Sequence, residues 1–150
     1  MKYLFGSILL LCFISAKSQP STKEDSVDIY ISRLGWQSFA VAWTYVPQLA
    51  LRGDANRLIK IQDESKIRKL VNNLADSQKT VVIHQILTRL LEPDNNAFGV
   101  TYNYGKDSKV KGCVFTYNGL RWTTDSLQEN SISLEDINKV EKYWRARCHL

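Results

Sequence analysis

The sequence predicts an α+β domain, an antiparallel sheet of hairpins and a meander with about three helices packed on one face. Three observations carry that expectation. Apolar and polar residues alternate through residues 110–124 around Asn118 and Gly119, the strongest short-range hairpin signal. Between residues 63 and 91 the apolar period lengthens to that of a helix. Near Ser133 a capping signal opens a further helical stretch.

Residues 1–18 stand apart from the fold. Lys2 precedes an apolar run to Ile14, and Ala16 and Ser18 put small residues at −3 and −1 of a cleavage point after Ser18. This is the pattern of a secretory signal peptide. The run falls short of the roughly 20 apolar residues of a membrane anchor. Cys12 follows Leu11 inside the run, unlike the Leu-x-small-Cys pattern of bacterial lipoproteins, and lipid attachment there is the alternative to removal. The remaining chain divides into a polar, flexible lead-in at 19–26 and a single α+β domain at 27–150, with no later membrane span. Its expected location is secreted or periplasmic.

Within the domain, residues 27–31 alternate as a strand and residues 34–37 form a turn. Residues 38–46 make a stronger strand, with Phe39, Val41, Trp43 and Tyr45 on one face and Pro47 ending it. Residues 49–56 are an irregular connection, and residues 57–61 suit a third strand. Arg52, Gly53 and Asp54 spell an integrin-binding tripeptide, but Gly-Asp is also ordinary turn chemistry. Ile67, Leu70, Val71 and Leu74 lie at helical spacing behind a cap from Asp63 or Ser65. Thr80 opens a second helix that buries Ile83, Ile86, Leu87, Leu90 and Leu91 and stops before Pro93, although the β-branched run at residues 80–83 also suits a strand.

Strands then return. Phe98, Val100, Tyr102 and Tyr104 alternate with smaller or polar residues and lead through a polar loop into the hairpin. A turn at Asn118 and Gly119 pairs Tyr117 with Leu120, Phe115 with Trp122 and Cys113 with Thr124, all on the apolar face. The last helix carries Ile137, Val140, Trp144 and Cys148 on one stripe and ends in basic residues, which suit the negative end of its dipole.

Several functional classes are disfavoured. The formal charge of +5 falls to +3 when Lys2 and Lys17 leave with the signal peptide, and what remains is spread over several elements, so no nucleic-acid partner is indicated. Beyond Cys12 the cysteines are Cys113 and Cys148, which in an oxidising compartment are expected to pair and staple the last helix across the sheet. Only His84 and His149 are present to join them, without metal-ligand spacing, so no metal is expected. Nucleotide-binding and hydrolase motifs are absent, so no cofactor is expected.

The remaining candidates are single residues. His84 is the weak catalytic candidate, placed by helical spacing on the polar flank beside Gln85 and Thr88. Acidic pairs occur at Asp63 and Glu64, at Glu135 and Asp136, and around Pro93 as Glu92 and Asp94. The first two pairs sit at helix starts, where acids are expected in any case. Trp36, in a turn, has less structural reason for its ring than the strand aromatics and is the candidate binding residue. The expectation is a non-catalytic extracytoplasmic protein, binding a protein or small ligand through an aromatic sheet edge or loop. A secreted inhibitor or immunity-type protein is a special case of it. The alternative is a small secreted hydrolase using His84 or dispersed carboxylates.

Overall fold

The computed structural model describes residues 22–43 and 45–150, with the backbone alone for residues 22–25. The leader with Cys12, and Thr44 of the second expected strand, lie outside the described residues. Helix α1 (Thr22–Ser32) leads through a 3-10 turn (Trp36–Ser38) into a two-stranded antiparallel sheet, β1 (Phe39–Ala42) and β2 (Gln48–Leu51). Helices α2 (Gly53–Lys60), α3 (Ser65–Asn72) and α4 (Thr80–Leu91) follow. Strands β3 (Phe98–Tyr104), β4 (Val110–Tyr117), β5 (Leu120–Asp125) and β6 (Asn130–Ser131) form an antiparallel sheet in sequential order, and α5 (Leu134–Arg147) completes the fold. The α+β class holds, with five helices and two antiparallel sheets among the described residues.

Two expected strands are helices. Residues 27–31 belong to α1, which also takes in residues 22–26 of the expected lead-in, and residues 57–60 belong to α2. In each stretch the apolar residues satisfy a helical spacing as well as an extended one. Val27, Ile31 and Leu34 are buried along one side of α1 and its exit, as are Ala55 and Leu58 along α2. Packing against α4 and α3 buries the helical stripe, a gain that strand pairing at the same positions lacks. The tripeptide at residues 52–54 is the start of α2. Asp54 sits in its first turn and pairs with Arg57 at 2.9 Å, so its carboxylate is engaged within the helix.

Helix α4 is the centre. Every residue from Thr80 to Thr88 is buried, and its polar side chains find partners inside the protein, Gln85 through its Nε2 alone. Thr80 Oγ1 donates to the Leu74 carbonyl at 2.8 Å, Gln85 Nε2 to the Leu49 carbonyl at 2.7 Å, and Thr88 Oγ1 to the His84 carbonyl at 2.9 Å. Leu70 and Val71 from α3, Leu74 just after it, Leu58 from α2 and Leu49 and Leu51 from β2 share its core with Tyr117, Leu120 and Trp122 from the hairpin.

The hairpin has the expected register, with Tyr117 opposite Leu120, Phe115 opposite Trp122 and Cys113 opposite Thr124. Both turn residues take positive φ, 46° at Asn118 and 82° at Gly119. Asn118 also holds the chain before β3. Its Oδ1 accepts from the Ala97 amide at 2.8 Å and its Nδ2 donates to the Asn95 carbonyl at 2.8 Å. Helix α5 is capped by Ser133, whose Oγ accepts from the Asp136 amide at 3.0 Å, and packs on β5 and α3.

The expected bridge between Cys113 and Cys148 is not formed; both thiols are free and half-buried. The path of α5 explains this. Its first turn lies by Arg121, Lys139 reaches the Gly119 carbonyl, and Trp144 meets His84 beside Tyr117. Cys148 continues from there, whereas Cys113 lies four residues back along β4 from Tyr117, about 13 Å at strand rise. The helix caps the turn end of the hairpin and does not run along it.

At Gly119 no heavy atom lies within 4 Å of where a Cβ would stand, so a substitution there is opposed by backbone conformation alone. Gly119→Ala is expected to destabilise the fold by about 1–2 kcal/mol, read by urea denaturation. A loss below half that figure would mean that the turn relaxes out of its left-handed geometry.

Candidate functional site

His84 is buried, at 2 % exposure, and not on a solvated flank. The expectation fails because the polar side of α4 is where the hairpin and α5 dock. The Trp144 indole Nε1 donates to His84 Nδ1 at 2.8 Å. An indole can only donate, so Nδ1 carries the lone pair and Nε2 carries the proton. Nε2–H accordingly donates to the Tyr117 carbonyl at 3.1 Å. The Tyr117 and Trp144 rings stand edge-on to the imidazole at 5.6 and 5.9 Å. Burial pushes the His84 pKa down to about 4, against the opposing pull of the backbone carbonyl at Tyr117. With both nitrogens occupied, the ring offers no lone pair to a substrate.

Beside this node lies a cavity of about 160 Å³ lined by His84, Glu92, Asn118, Lys139, Val140 and Tyr143. Its polar groups bind one another. The Tyr143 hydroxyl donates to Glu92 Oε1, Asn95 Nδ2 donates to Glu92 Oε2 at 3.1 Å, and Arg147 Nε lies 3.6 Å from Oε1. The Tyr143 bond, followed by those from Asn95 and Arg147, holds the Glu92 carboxyl below its ordinary range, and the same carboxylate pushes the Tyr143 phenol up. Lys139 Nζ reaches the Gly119 carbonyl at 3.5 Å. Of the other acids named from the sequence, Asp63 and Asp136 are engaged at helix starts. Asp63 Oδ1 accepts from the Ser65 amide at 2.8 Å, and Asp136 Oδ2 accepts from Ser133 Oγ at 2.6 Å. Among the described residues no group of three or more His, Cys, Asp or Glu is placed to hold a metal, and no helix is long and apolar enough to cross a membrane.

Trp36 opens the 3-10 turn and is half-buried, edge-on to Phe39 at 5.9 Å, which is in turn edge-on to Trp122 at 5.9 Å. Its indole nitrogen is turned into the protein. The exposed aromatics lie elsewhere. Trp43 is stacked on Tyr102 with ring centres 6.1 Å apart, and Tyr104 lies 6.4 Å beyond Tyr102. Trp43, Tyr102 and Tyr104 are 57, 41 and 64 % exposed. They continue the face of β3 whose Phe98 stacks on Phe115 and Trp122 inside. Lys106, Lys109 and Lys111 are exposed on the adjoining loop and strand. Sequence alternation puts Trp43, Tyr102 and Tyr104 on an apolar face, but alternation does not say where along a strand the covering helices stop.

No protein-family model, curated protein or solved structure matches this chain.

The His84 node gives a pH dependence of known sign. The ring takes up a proton near pH 6.5 when unfolded and only near pH 4 when folded, so stability is lost as pH falls through that window. The full effect is about 3 kcal/mol. His84→Gln removes it. The gap in unfolding free energy between wild type and this variant is expected to narrow steadily from pH 7.5 to pH 4; a constant gap would count against the neutral, doubly bonded ring. In the same cluster, Tyr143→Phe is expected to raise the Glu92 pKa toward its ordinary value, read from the carboxyl carbon shift by NMR.

Proposed function

We propose that this chain is a non-catalytic extracytoplasmic protein that binds a protein partner through the strip formed by Trp43, Tyr102 and Tyr104. The observation that carries the reading is the exposed stacking of Trp43 on Tyr102, with Tyr104 beside it. Rings held against one another lose little freedom on binding and bring large apolar area, the properties of contact residues at interfaces. The lysines beside the strip favour a partner with acidic residues at its rim. Trp36 is half-buried with its indole nitrogen turned inward, and the strip is the better-supported contact.

The extracytoplasmic location rests on the leader pattern at residues 1–18 and draws nothing from the cysteines. The hydrolase alternative has less support, because His84 has both nitrogens engaged and Glu92 is bound by Tyr143 and Asn95.

The test is affinity capture by the purified protein from the extracytoplasmic fraction of the producing cell, with any retained protein quantified by titration. Trp43→Ala and Tyr104→Ala are each expected to weaken the retained partner about 30-fold, equivalent to about 2 kcal/mol, with melting temperature unchanged. Equal retention by both variants would overturn the assignment of this surface. Intact mass of the exported protein is expected to lack residues 1–18.

A further inference from the structure

We infer that two copies of this chain pair through β3 to form a two-fold dimer with one continuous eight-stranded antiparallel sheet. β3 is the outer strand of the four-stranded sheet, bonded to β4 on one side and to no strand among the described residues on the other. It runs seven residues with no proline and no charge, the devices by which proteins blunt such an edge. The irregularity between β3 and β4 falls on β4, where Lys111 has no opposite residue, so β3 itself stays regular. The opposite edge differs: β6 is two residues long and passes at once into α5.

The occupant is chosen by self-complementarity. Antiparallel pairing of β3 with itself about Thr101 keeps the two faces in phase. On the apolar face Val100 meets Tyr102 of the second copy and Phe98 meets its Tyr104, pairs of the aromatic and β-branched kind that stabilise sheets. On the polar face Thr101 meets Thr101, and Gly99 meets Asn103. A shift by one residue puts apolar residues opposite polar ones. The charges agree with the same arrangement. Antiparallel pairing brings the basic loop after β3, with Lys106 and Lys109, against the turn before β3 of the other copy, with Asp94. Parallel stacking of the edges brings like ends together.

Pairing of one open edge with its own copy is isologous and uses that edge up, so association stops at the dimer. It also brings the two aromatic strips alongside one another. The inference rests on the open main chain of β3, the side-chain pairs of its two faces and the charges of its flanks, and it stands whether or not the strip also binds a separate partner.

The experiment is light scattering coupled to gel filtration on the purified protein. The wild type is expected at twice the monomer mass. Thr101 is exposed, on the polar face, and directly opposite itself in the dimer, with Cβ atoms about 5 Å apart. Thr101→Lys and Thr101→Glu are each expected to run as monomers with native circular dichroism, and their equimolar mixture is expected to return to dimer mass. A monomeric wild type at every concentration, or a dimeric Thr101→Lys, overturns the proposal, as does a mixture that stays monomeric. Thr101→Cys supplies a measurement free of added charge: mild oxidation is expected to give a disulfide-linked dimer through residue 101, and recovery of monomer alone overturns the pairing. Monomeric wild type that instead takes an extended peptide onto β3 overturns self-pairing in favour of strand addition by another chain.

Discussion

The His84 imidazole joins three parts of the chain that are built separately, and the rest of the structure depends on the match. Its ring belongs to the buried helix α4, its acceptor nitrogen is filled by Trp144 of α5, and its proton is given to the Tyr117 carbonyl at the end of β4. A neutral imidazole has one donor and one acceptor, and here each is used once, in opposite directions. Removing any partner leaves a buried polar group unmatched, at about 1–3 kcal/mol, so α5 and the hairpin dock in one relative orientation. The same requirement keeps the ring uncharged. A buried histidine in the central helix is thus the means by which sheet and helices are registered against each other.

That closure determines where surface is left over. The turn end of the β4–β5 hairpin, the end of α4 and the face of α5 are spent on covering the His84 node. The far half of β3 extends beyond them. Phe98 and Tyr104 stand on the same face of one strand, yet Phe98 stacks on Phe115 and Trp122 while Tyr104 is open to solvent. Only distance along the strand separates the two cases. Trp43, brought across by the β1–β2 hairpin, settles on Tyr102 where the helical cover has ended.

Some of this was legible in residue order and some was not. The hairpin was, because Asn118 and Gly119 need positive φ and the alternation around them tolerates one register. The helix capped by Ser133 and the helices at α3 and α4 were, because their apolar residues recur at helical spacing, although the β-branched run at residues 80–83 suits a strand as well. Residues 27–31 and 57–61 were not. Each is a short apolar stretch whose spacing fits both periods, and the surroundings decided. His84 was misplaced because helical spacing separates apolar from polar flanks, while α4 is covered on both. The polar flank is buried by polar partners, Trp144 and a strand carbonyl, that lie 60 and 33 residues away.

What residue order determined by itself is local: the turn that demands glycine, the Ser133 cap, the class of fold and the pairing within the hairpin. Each depends on residues within a few positions of one another, so backbone sterics and periodicity suffice. Tertiary structure alone decided the protonation of His84, the separation of Cys113 from Cys148, and the division of one aromatic face into core and exposed strip. Those depend on where α5 crosses the sheet, and a crossing point is set by which distant donor meets which acceptor once both are removed from water.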